Sequence, residues 1–211
     1  MSQLELFDIF DNQMRRIGIA SRQEVHRMGY WHETFHCWVV YESPAGEPSL
    51  LFQLRSRDKD TFAGKLDISC AGHLLTGEGA AGGLRELEEE LGIRAVWSEL
   101  HPCGIYPNEY VEPGVLIDRE FSHVFLLRCN KPLADYNFQA EEIEGLFLLP
   151  ISSVVQLVTG QVKEVIAEGV LLQEGKVSTH RQKVQLQDLV PHPRAYYDYI
   201  IEHVEALLHQ F

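Results

Sequence analysis

The sequence predicts an α/β fold of the mixed (α+β) kind, in which a β-sheet is covered by helices. The 211 residues are 45% hydrophobic and 23% charged, an ordinary balance for one globular domain with a sizeable core. Strand-like segments lie both before and after a single glutamate-rich helix, and an amphipathic helix follows at 193–210. Strands on both sides of a helix, with a further helix to cover the sheet, indicate a layered sandwich.

The strand-like segments are rich in aromatic and β-branched residues and are bounded by turn residues. Two short ones, 5–10 and 15–20, flank a turn at 11–13 and predict a hairpin. Further strands are expected at 35–42, 49–55, 66–71, 94–97, 100–106, 119–128 and 143–149.

Three segments predict helices. The central one ends at Leu91, where Gly92 suits the left-handed position that follows many helices. The others are 151–158 and 193–210, and in the last the spacing of Tyr196, Tyr197 and Ile200 assigns these side chains to the core. Residues 159–190 are compatible either with irregular structure or with a small helix and a hairpin.

The composition excludes several classes of partner. The formal net charge is −13 and the 18 Lys and Arg residues are scattered, so we expect no nucleic-acid polymer. No apolar stretch reaches 18 residues, and the first residues lack the features of a signal peptide. The four cysteines form no CxxC pair. We therefore expect a cytoplasmic protein with free thiols and no membrane partner.

The residues that indicate chemistry lie on the central helix. Glu86, Glu89 and Glu90 stand at i, i+3 and i+4, so their carboxylates share one face. Like charges at this spacing destabilise a helix by about 0.2–0.5 kcal/mol each, and they lie near its negative end. A bound Mg²⁺ or Mn²⁺ would offset both effects, because these cations prefer oxygen ligands. The plain alternative is a solvated acidic face.

The residues around this helix favour the metal interpretation. Gly72 and Gly77 flank a loop that must bend tightly and admit a ligand close to its backbone. Arg85 is placed to pair with a carboxylate and hold that loop against the helix.

Together these residues resemble the Nudix box, Gx5Ex7REUxEExGU, where U is a bulky aliphatic residue. Nine positions match in order: Gly72, Glu78, Arg85, Glu86, Leu87, Glu89, Glu90, Gly92 and Ile93. One departure is present, because six residues instead of seven separate Glu78 from Arg85. Three of the six are glycines, and glycine costs about 1 kcal/mol inside a helix. We therefore expect a late helix start and a displaced Glu78.

The resemblance implies the Nudix fold, a mixed sheet sandwiched between helices. We expect a single domain over 1–211, with an N-terminal hairpin or extension at 1–34, a core at 35–158 and a C-terminal extension at 159–211. It also implies cleavage of a small diphosphate substrate with Mg²⁺ or Mn²⁺. The expected metal ligands are Glu86, Glu89, Glu90 and Glu120. Arg85 supports the loop, and either Glu86 or Glu120 takes the proton from the attacking water.

Matches outside the box resemble isopentenyl-diphosphate isomerases, which share this fold. Two of their metal-binding histidines fall near His26 and His32, a third falls on His73, and Asp118 with Glu120 resembles their acidic pair. We expect Gly72, His73, His26, His32, Glu78 and Asp118 to contact the substrate, with metal contact open for the histidines.

The isomerases place a catalytic cysteine directly before the Gly-His pair, whereas Ala71 stands there. Cys70 comes one residue earlier and is expected to point away from the site, since neighbouring side chains of a strand face opposite sides. The sequence thus favours a hydrolase of a nucleoside diphosphate or a derivative of one. An isomerase-like enzyme acting on isoprenoid diphosphates is the alternative, and a catalytically silent nucleotide sensor is a third hypothesis. The oligomeric state cannot be predicted.

Overall fold

A mixed β-sheet carries most of the chain. The computed structural model describes residues 5–43, 46–59, 61–112, 114, 116–173 and 175–209. The strands, numbered in chain order, are β1 Leu6–Phe10, β2 Arg16–Ser21, β3 Trp31–Tyr41, β4 Ser49–Arg55, β5 Leu66–Asp67, β6 Cys70–His73, β7 Leu100–Glu112, β8 Leu116–Arg128, β9 Ile143–Pro150, β10 Glu164–Gln173 and β11 Lys176–Gln185. The helices are α1 Arg22–Met28, α2 Leu84–Leu91, α3 Ile151–Val158 and α4 Arg194–Leu208.

The main path through the sheet runs β11-β10-β9-β4-β3-β1-β2. Strand β3 also pairs with β6 and, in parallel, with β8, over a register that extends from Trp31↔Arg119 to Val40↔Arg128. The other named strand pairs among the described residues are antiparallel. The sheet is therefore mixed, as predicted, and the β3–β8 register sets two distant segments side by side.

Helices cover both faces of the sheet. On one face, Leu87 and Leu91 of α2 pack in a core cluster with Phe35 and Cys37 of β3. On the other face, residues of α4 and α3 pack around Trp38, which is fully buried. Because side chains alternate along a strand, one strand supplies both cores. The expected arrangement of a mixed sheet between helices is confirmed.

Several predicted elements are present at nearly the expected bounds. The N-terminal hairpin, β3, β4, β9, α3 and α4 all form, and Gly92 ends α2 in the left-handed conformation with φ 63°. In the segment 159–190 the hairpin alternative is correct, since β10 and β11 pair along their length. In the described part of the chain, no helix combines the length and apolar character needed to cross a membrane.

Other elements differ from the prediction. The segment 22–28 is a helix, α1, capped by the Ser21 hydroxyl, which accepts a hydrogen bond from the Glu24 backbone N–H at 3.3 Å. The strand expected at 94–97 is absent, and Trp97–Glu99 form a 3₁₀ turn. The strand expected at 66–71 is divided into β5 and β6, and between them the Ser69 hydroxyl donates to the Leu51 carbonyl and accepts from the Val39 N–H.

Candidate active site

A cavity of about 730 Å³ opens between the sheet, α2 and the segment that precedes α4. Most of the predicted site residues line it: Gly72, His73, His26, Arg85, Glu86, Glu89, Glu90, Asp118 and Glu120. The ring of His32 is fully buried and lies against the rings of His26 and His73. Glu78 lies beside Arg85. The fold thus brings the predicted residues into one region.

The residue missing between Glu78 and Arg85 is accommodated by a 3₁₀ turn, Ala80–Gly83, directly before α2. Such a turn rises about 2.0 Å per residue, against about 1.5 Å in an α-helix, so its four residues span about the length of five. The expected late helix start is confirmed. A Cβ on Gly83 would lie 2.1 Å from the ring of Phe35, which explains glycine at this close approach to β3.

Arg85 holds the carboxylates of the box together. Its Nη2 lies 2.8 Å from Glu86 Oε1, and its Nη1 donates to Glu89 Oε2 at 2.9 Å. Its Nε lies 3.6 Å from Glu78 Oε1, while Glu78 Oε2 accepts a hydrogen bond from the Leu75 backbone at 2.8 Å. Arg85 therefore contacts carboxylates of both the loop and the helix, and Glu78 remains in contact with the box despite the shorter spacing.

Glu86 rests directly on the backbone of Gly72. A Cβ at position 72 would lie 2.3 Å from Glu86 Cδ, so any larger residue would displace this carboxylate. Burial raises the pKa of Glu86, and the charge of Arg85 opposes that rise. The glycine therefore fixes the position of a carboxylate rather than a turn.

Glu90 is the most buried carboxyl group of the box, with 8% exposure. Burial, assisted by repulsion from Glu86, raises its pKa to about 8. Its Oε2 has no hydrogen-bond partner among the described residues, and the Cys70 thiol lies against the group. A buried carboxylate beside a second one is unfavourable unless it is protonated or a cation neutralises both.

Three histidine rings form a cluster beside the box. His26 comes from α1, His32 from β3 and His73 from β6, and their ring centroids lie 5.1–5.5 Å apart. Phe7 of β1 stacks on His73 at 4.7 Å. The N-terminal hairpin therefore packs against the site and orients the cluster.

The tautomer of His32 follows from its contacts. Its Nδ1 lies 3.2 Å from the Tyr30 carbonyl, which only accepts, so Nδ1 carries the proton of the neutral ring. Burial lowers the pKa of His32 to about 4, which keeps the ring neutral. Its Nε2 is then an acceptor, and it has no partner among the described residues. The nearest carboxylate atom, Asp118 Oδ1 at 3.8 Å, is also an acceptor without a hydrogen-bond partner, and Nε2 of His26 lies 3.6 Å from it.

Glu120 lies beside Asp118 on the same face of β8. Burial and the Asp118 charge raise its pKa well above the usual value, and it receives hydrogen bonds from the side chains of Asn108 and Ser122. Its Oε2 lies 3.8 Å from Nε2 of His36, whose Nδ1 is 2.9 Å from the Tyr196 hydroxyl. Helix α4 thus supports the site from behind.

Two overlapping groups of described residues are arranged so that they could hold a metal ion. One is His26, His32 and His73, and the other is His32, Asp118 and Glu120; within each group the ligand atoms lie within 4.8 Å of one another. Neutral imidazoles and carboxylates are common ligands of divalent ions. The acceptor atoms described above repel one another when no donor lies between them, and a bound cation would attract them all.

Comparison with known proteins agrees with this geometry. Residues 31–168 match the NUDIX domain. An uncharacterized Nudix hydrolase of Clostridium acetobutylicum is 40% identical over 198 residues, which are 93% of this chain and 95% of that protein.

The chain belongs to the Nudix family.

This membership confirms the expected fold and the expected enzyme class, a Nudix pyrophosphohydrolase. An isopentenyl-diphosphate Delta-isomerase of Serratia proteamaculans is 32% identical over 123 residues, 58% of this chain and 65% of that enzyme. The solved structure of a MutT protein from Methanosarcina mazei is 20% identical, with a TM-score of 0.51 over 85% of this chain and 96% of that one. The similarity to the Methanosarcina structure shows a shared fold.

Ala71, at the position where the resemblance to the isomerases implies a catalytic cysteine, borders the cavity. Cys70 is fully buried in the core cluster under α2 and does not border the cavity. This agrees with the expected orientation, although the thiol also contacts Glu90, which the sequence did not indicate.

Some residues that border the cavity were not singled out from the sequence. His192 borders the cavity, and its Nε2 lies 3.1 Å from Asp67 Oδ1. Gln53, Phe62 and Tyr110 border it as well. These residues lie on separate elements and form no local motif, so only the position of Gln53 in an otherwise apolar strand could have drawn attention.

Proposed function

We propose that this Nudix protein is a Mg²⁺- or Mn²⁺-dependent hydrolase that cleaves the diphosphate linkage of a nucleoside diphosphate or a derivative of one. The observation that carries the proposal is the set of buried polar atoms without a hydrogen-bond partner among the described residues. They include Nε2 of His32, Nε2 of His73, Oδ1 of Asp118 and Oε2 of Glu90, and Oδ1 of Asn108 is a further one. These atoms belong to residues beside one cavity, and divalent cations are partners that would satisfy the imidazole and carboxylate atoms among them.

The residues present offer two kinds of ligand set for a divalent cation. Glu86, Glu89 and Glu90 offer carboxylate oxygens, which suit Mg²⁺. The histidine cluster with Asp118 and Glu120 offers nitrogen as well as oxygen, which suits Mn²⁺. We therefore propose that the histidines, which the sequence assigned to substrate contact, serve as metal ligands.

When bound, such an ion lowers the pKa of water and offsets negative charge that develops on phosphate oxygens. A carboxylate of this chain takes a proton from water as the water oxygen bonds to one phosphorus. The bond from that phosphorus to the bridging oxygen then breaks, and this oxygen leaves on the second phosphate group. Glu86 and Glu120 are the two candidates for the base, and Arg85 holds the first of them in place.

The test is phosphate release from a panel of diphosphates in Mg²⁺, Mn²⁺ or EDTA. The panel contains nucleoside diphosphates, nucleotide sugars, dinucleotides and isopentenyl diphosphate, with a phosphatase added where the product is a monoester. The variants are Glu89→Gln, Glu90→Gln and Glu120→Gln. Glu88→Gln is the matched control, because Glu88 is half-exposed on the same helix and pairs with Arg94 at 2.7 Å.

We expect metal-dependent release that falls by at least about 100-fold in the three site variants and stays unchanged in the control. Hydrolysis that survives in the Glu89→Gln Glu90→Gln double variant would contradict the proposed role of the box. If Glu86→Gln and Glu120→Gln differ in the pH dependence of kcat, the one that loses the acidic limb identifies the base.

A second candidate function is an isomerase that acts on isoprenoid diphosphates. It is favoured by the histidine and acidic cluster and by the similarity to the Serratia enzyme. It is opposed by Ala71 at the position of the catalytic cysteine. Incubation with isopentenyl diphosphate in D₂O separates the two functions, because an isomerase would incorporate deuterium into carbon-bound positions, whereas we expect none.

Four further expectations from the sequence belong to this proposal. They are a single domain over 1–211, a cytoplasmic location, a small-molecule substrate and no nucleic-acid polymer as partner. No preference for an oligomeric state is proposed.

A further inference from the structure

One wall of the cavity carries none of the groups assigned above to metal or phosphate. It is formed by β4, β5, the loop after β4, the end of β7 and the segment before α4. We name it the amide wall, and its residues are Gln53, Phe62, Asp67, Tyr110 and His192. The amide wall presents amide and aromatic groups, whereas the box presents carboxylates. The amide wall therefore contacts a different part of the substrate from the part that the box contacts.

Gln53 is the central feature of the amide wall. It pairs with Asp67 across β4 and β5, is only 3% exposed, and still borders the cavity. Its side-chain amide makes no hydrogen bond to another residue of the described ranges, and its polar atoms are not among those buried away from solvent. The amide is therefore open to the cavity, where a ligand can form hydrogen bonds with it. An amide presents a donor and an acceptor side by side.

The charges beside Gln53 are already neutralised. Asp67 accepts from Arg55 Nη1 at 2.9 Å and from the Ile68 backbone at 2.8 Å, and it pairs with His192 at 3.1 Å. Burial opposes its ionisation, but the bond from His192 and the charge of Arg55 lower its pKa to about 2. This wall therefore offers no spare cation to a phosphate, and it is too polar to favour an isoprenoid chain.

An aromatic pair completes the amide wall. The rings of Phe62 and Tyr110 meet edge to face with centroids 5.1 Å apart. Phe62 has φ 52°, an uncommon conformation for a residue other than glycine, and Arg55 Nε donates to the Thr61 carbonyl to hold this turn. Tyr110 pairs with Asp118 across β7 and β8, so a ring stacked on Tyr110 would place attached phosphates near the metal-capable groups.

Resting on the proposed hydrolase function, we propose that Gln53 determines specificity by hydrogen-bonding the edge of a nucleobase whose face contacts Phe62 and Tyr110. Base edges present donors and acceptors side by side, which a glutamine amide complements with two hydrogen bonds. Aromatic side chains stack on the faces of bases of every kind. The part of the substrate outside the diphosphate is then a nucleoside and not an isoprenoid chain.

The experiment compares Gln53→Met with the parent enzyme on UDP, CDP, ADP, GDP and methyl diphosphate, which has no base. Methionine keeps the length of the side chain and removes its donor and acceptor, so the fold is retained. Gln173→Met is the control, since Gln173 is exposed at the end of β10 and does not border the cavity. We expect KM for the preferred nucleoside diphosphate to rise at least tenfold in Gln53→Met, with methyl diphosphate turnover unchanged.

An equal loss on methyl diphosphate, or an unchanged KM for the nucleotides, would overturn the proposal. Calorimetric binding of UMP, CMP, AMP and GMP in EDTA separates it from the hydrolase function, because this measurement needs no turnover. If the parent enzyme cleaves nothing yet binds a monophosphate at least tenfold more tightly than Gln53→Met, the base contact stands and the hydrolase function fails. Absence of nucleotide binding together with turnover of other diphosphates would overturn the base contact alone.

Discussion

The Nε2 atom of His32, whose ring proton is on Nδ1, lies 3.8 Å from the carboxylate atom Oδ1 of Asp118. Both atoms are buried, and neither has a hydrogen-bond partner among the described residues. Two acceptors held face to face in a region of low water content repel each other. The pair is therefore a sensitive probe of whether a cation occupies this part of the Nudix site.

Replacing Asp118 by Asn should weaken Mn²⁺ binding by about 10- to 100-fold, because a neutral amide replaces an anionic ligand. Calorimetric titration of the metal-free protein with Mn²⁺ measures this change. Glu109→Gln is the control, since Glu109 lies on the neighbouring strand and pairs with Arg119 at 2.8 Å. Equal Mn²⁺ affinity in the two variants would show that Asp118 is not a ligand.

The stability of the metal-free protein should fall as pH rises from about 4.5 to about 8, in part because of Glu90. Its ordinary pKa of 4.5 applies in the unfolded chain, while burial and Glu86 raise the folded value to about 8. Between these values unfolding releases the proton, so higher pH favours the unfolded chain. Glu90→Gln removes this effect and should be the more stable protein at pH 8, by at most about 5 kcal/mol.

Urea unfolding in EDTA at pH 5 and at pH 8 tests this expectation. The stability advantage of Glu90→Gln should shrink toward pH 5, where both proteins carry a neutral group. Glu88→Gln serves as the control on the exposed side of α2. An advantage that is the same at both pH values would show that the raised pKa of Glu90 is not its cause.

Gly72→Ala should lower kcat/KM by about 10- to 100-fold and change stability by less than about 1 kcal/mol. The new Cβ would meet the end of the Glu86 side chain at 2.3 Å, and this flexible group can move away from its working position without unfolding the loop. Gly79→Ala is the matched control, since no atom lies within 4 Å of its Cβ position and its φ is −87°. The measurements are kcat/KM and thermal unfolding of both variants. Full activity in Gly72→Ala would show that the contact with Glu86 is not needed for catalysis.

Tyr196→Phe should destabilise the protein by about 2–3 kcal/mol in urea unfolding. The lost hydroxyl lies 2.9 Å from His36 Nδ1 and accepts from Trp38 Nε1 at 3.2 Å, so two buried nitrogen atoms lose their partner. Tyr197→Phe is the comparison, because its hydroxyl makes a single contact of 3.5 Å with the Val190 carbonyl. A smaller loss for Tyr196→Phe than for Tyr197→Phe would contradict this account.

The part of the site that could be predicted from the sequence is the part held by one local segment. Gly72, Arg85 and the box glutamates lie within one continuous segment that runs from the end of β6 through the loop to α2, so their spacing in the sequence is enough to relate them. Helix α1 was missed although a signal was available, since Ser21 and Glu24 have the spacing of an N-terminal cap. The signal was obscured because β2 runs into this helix without a loop.

The remaining part depends on long-range pairing, which periodicity does not encode. His32 meets Glu120 because β3 and β8 pair in parallel, and only the resemblance to a family indicated that these residues belong together. Gln53 and His192 border the cavity from β4 and from the segment before α4, and apart from the apolar residues around Gln53, nothing in their neighbours along the chain marks them. Such residues are recognised by what lies beside them in space.

The hydrogen bonds between β3 and α4 can form only late in the synthesis of the chain. His36 and Trp38 are made 160 and 158 residues before the tyrosine that their ring nitrogens require. At roughly 5–20 residues per second, a nascent chain carries this apolar strand without its cover for about 10 to 30 s. During that interval the strand is accessible to chaperones and to other exposed strands, so the yield of active protein should depend on how quickly translation delivers the final helix.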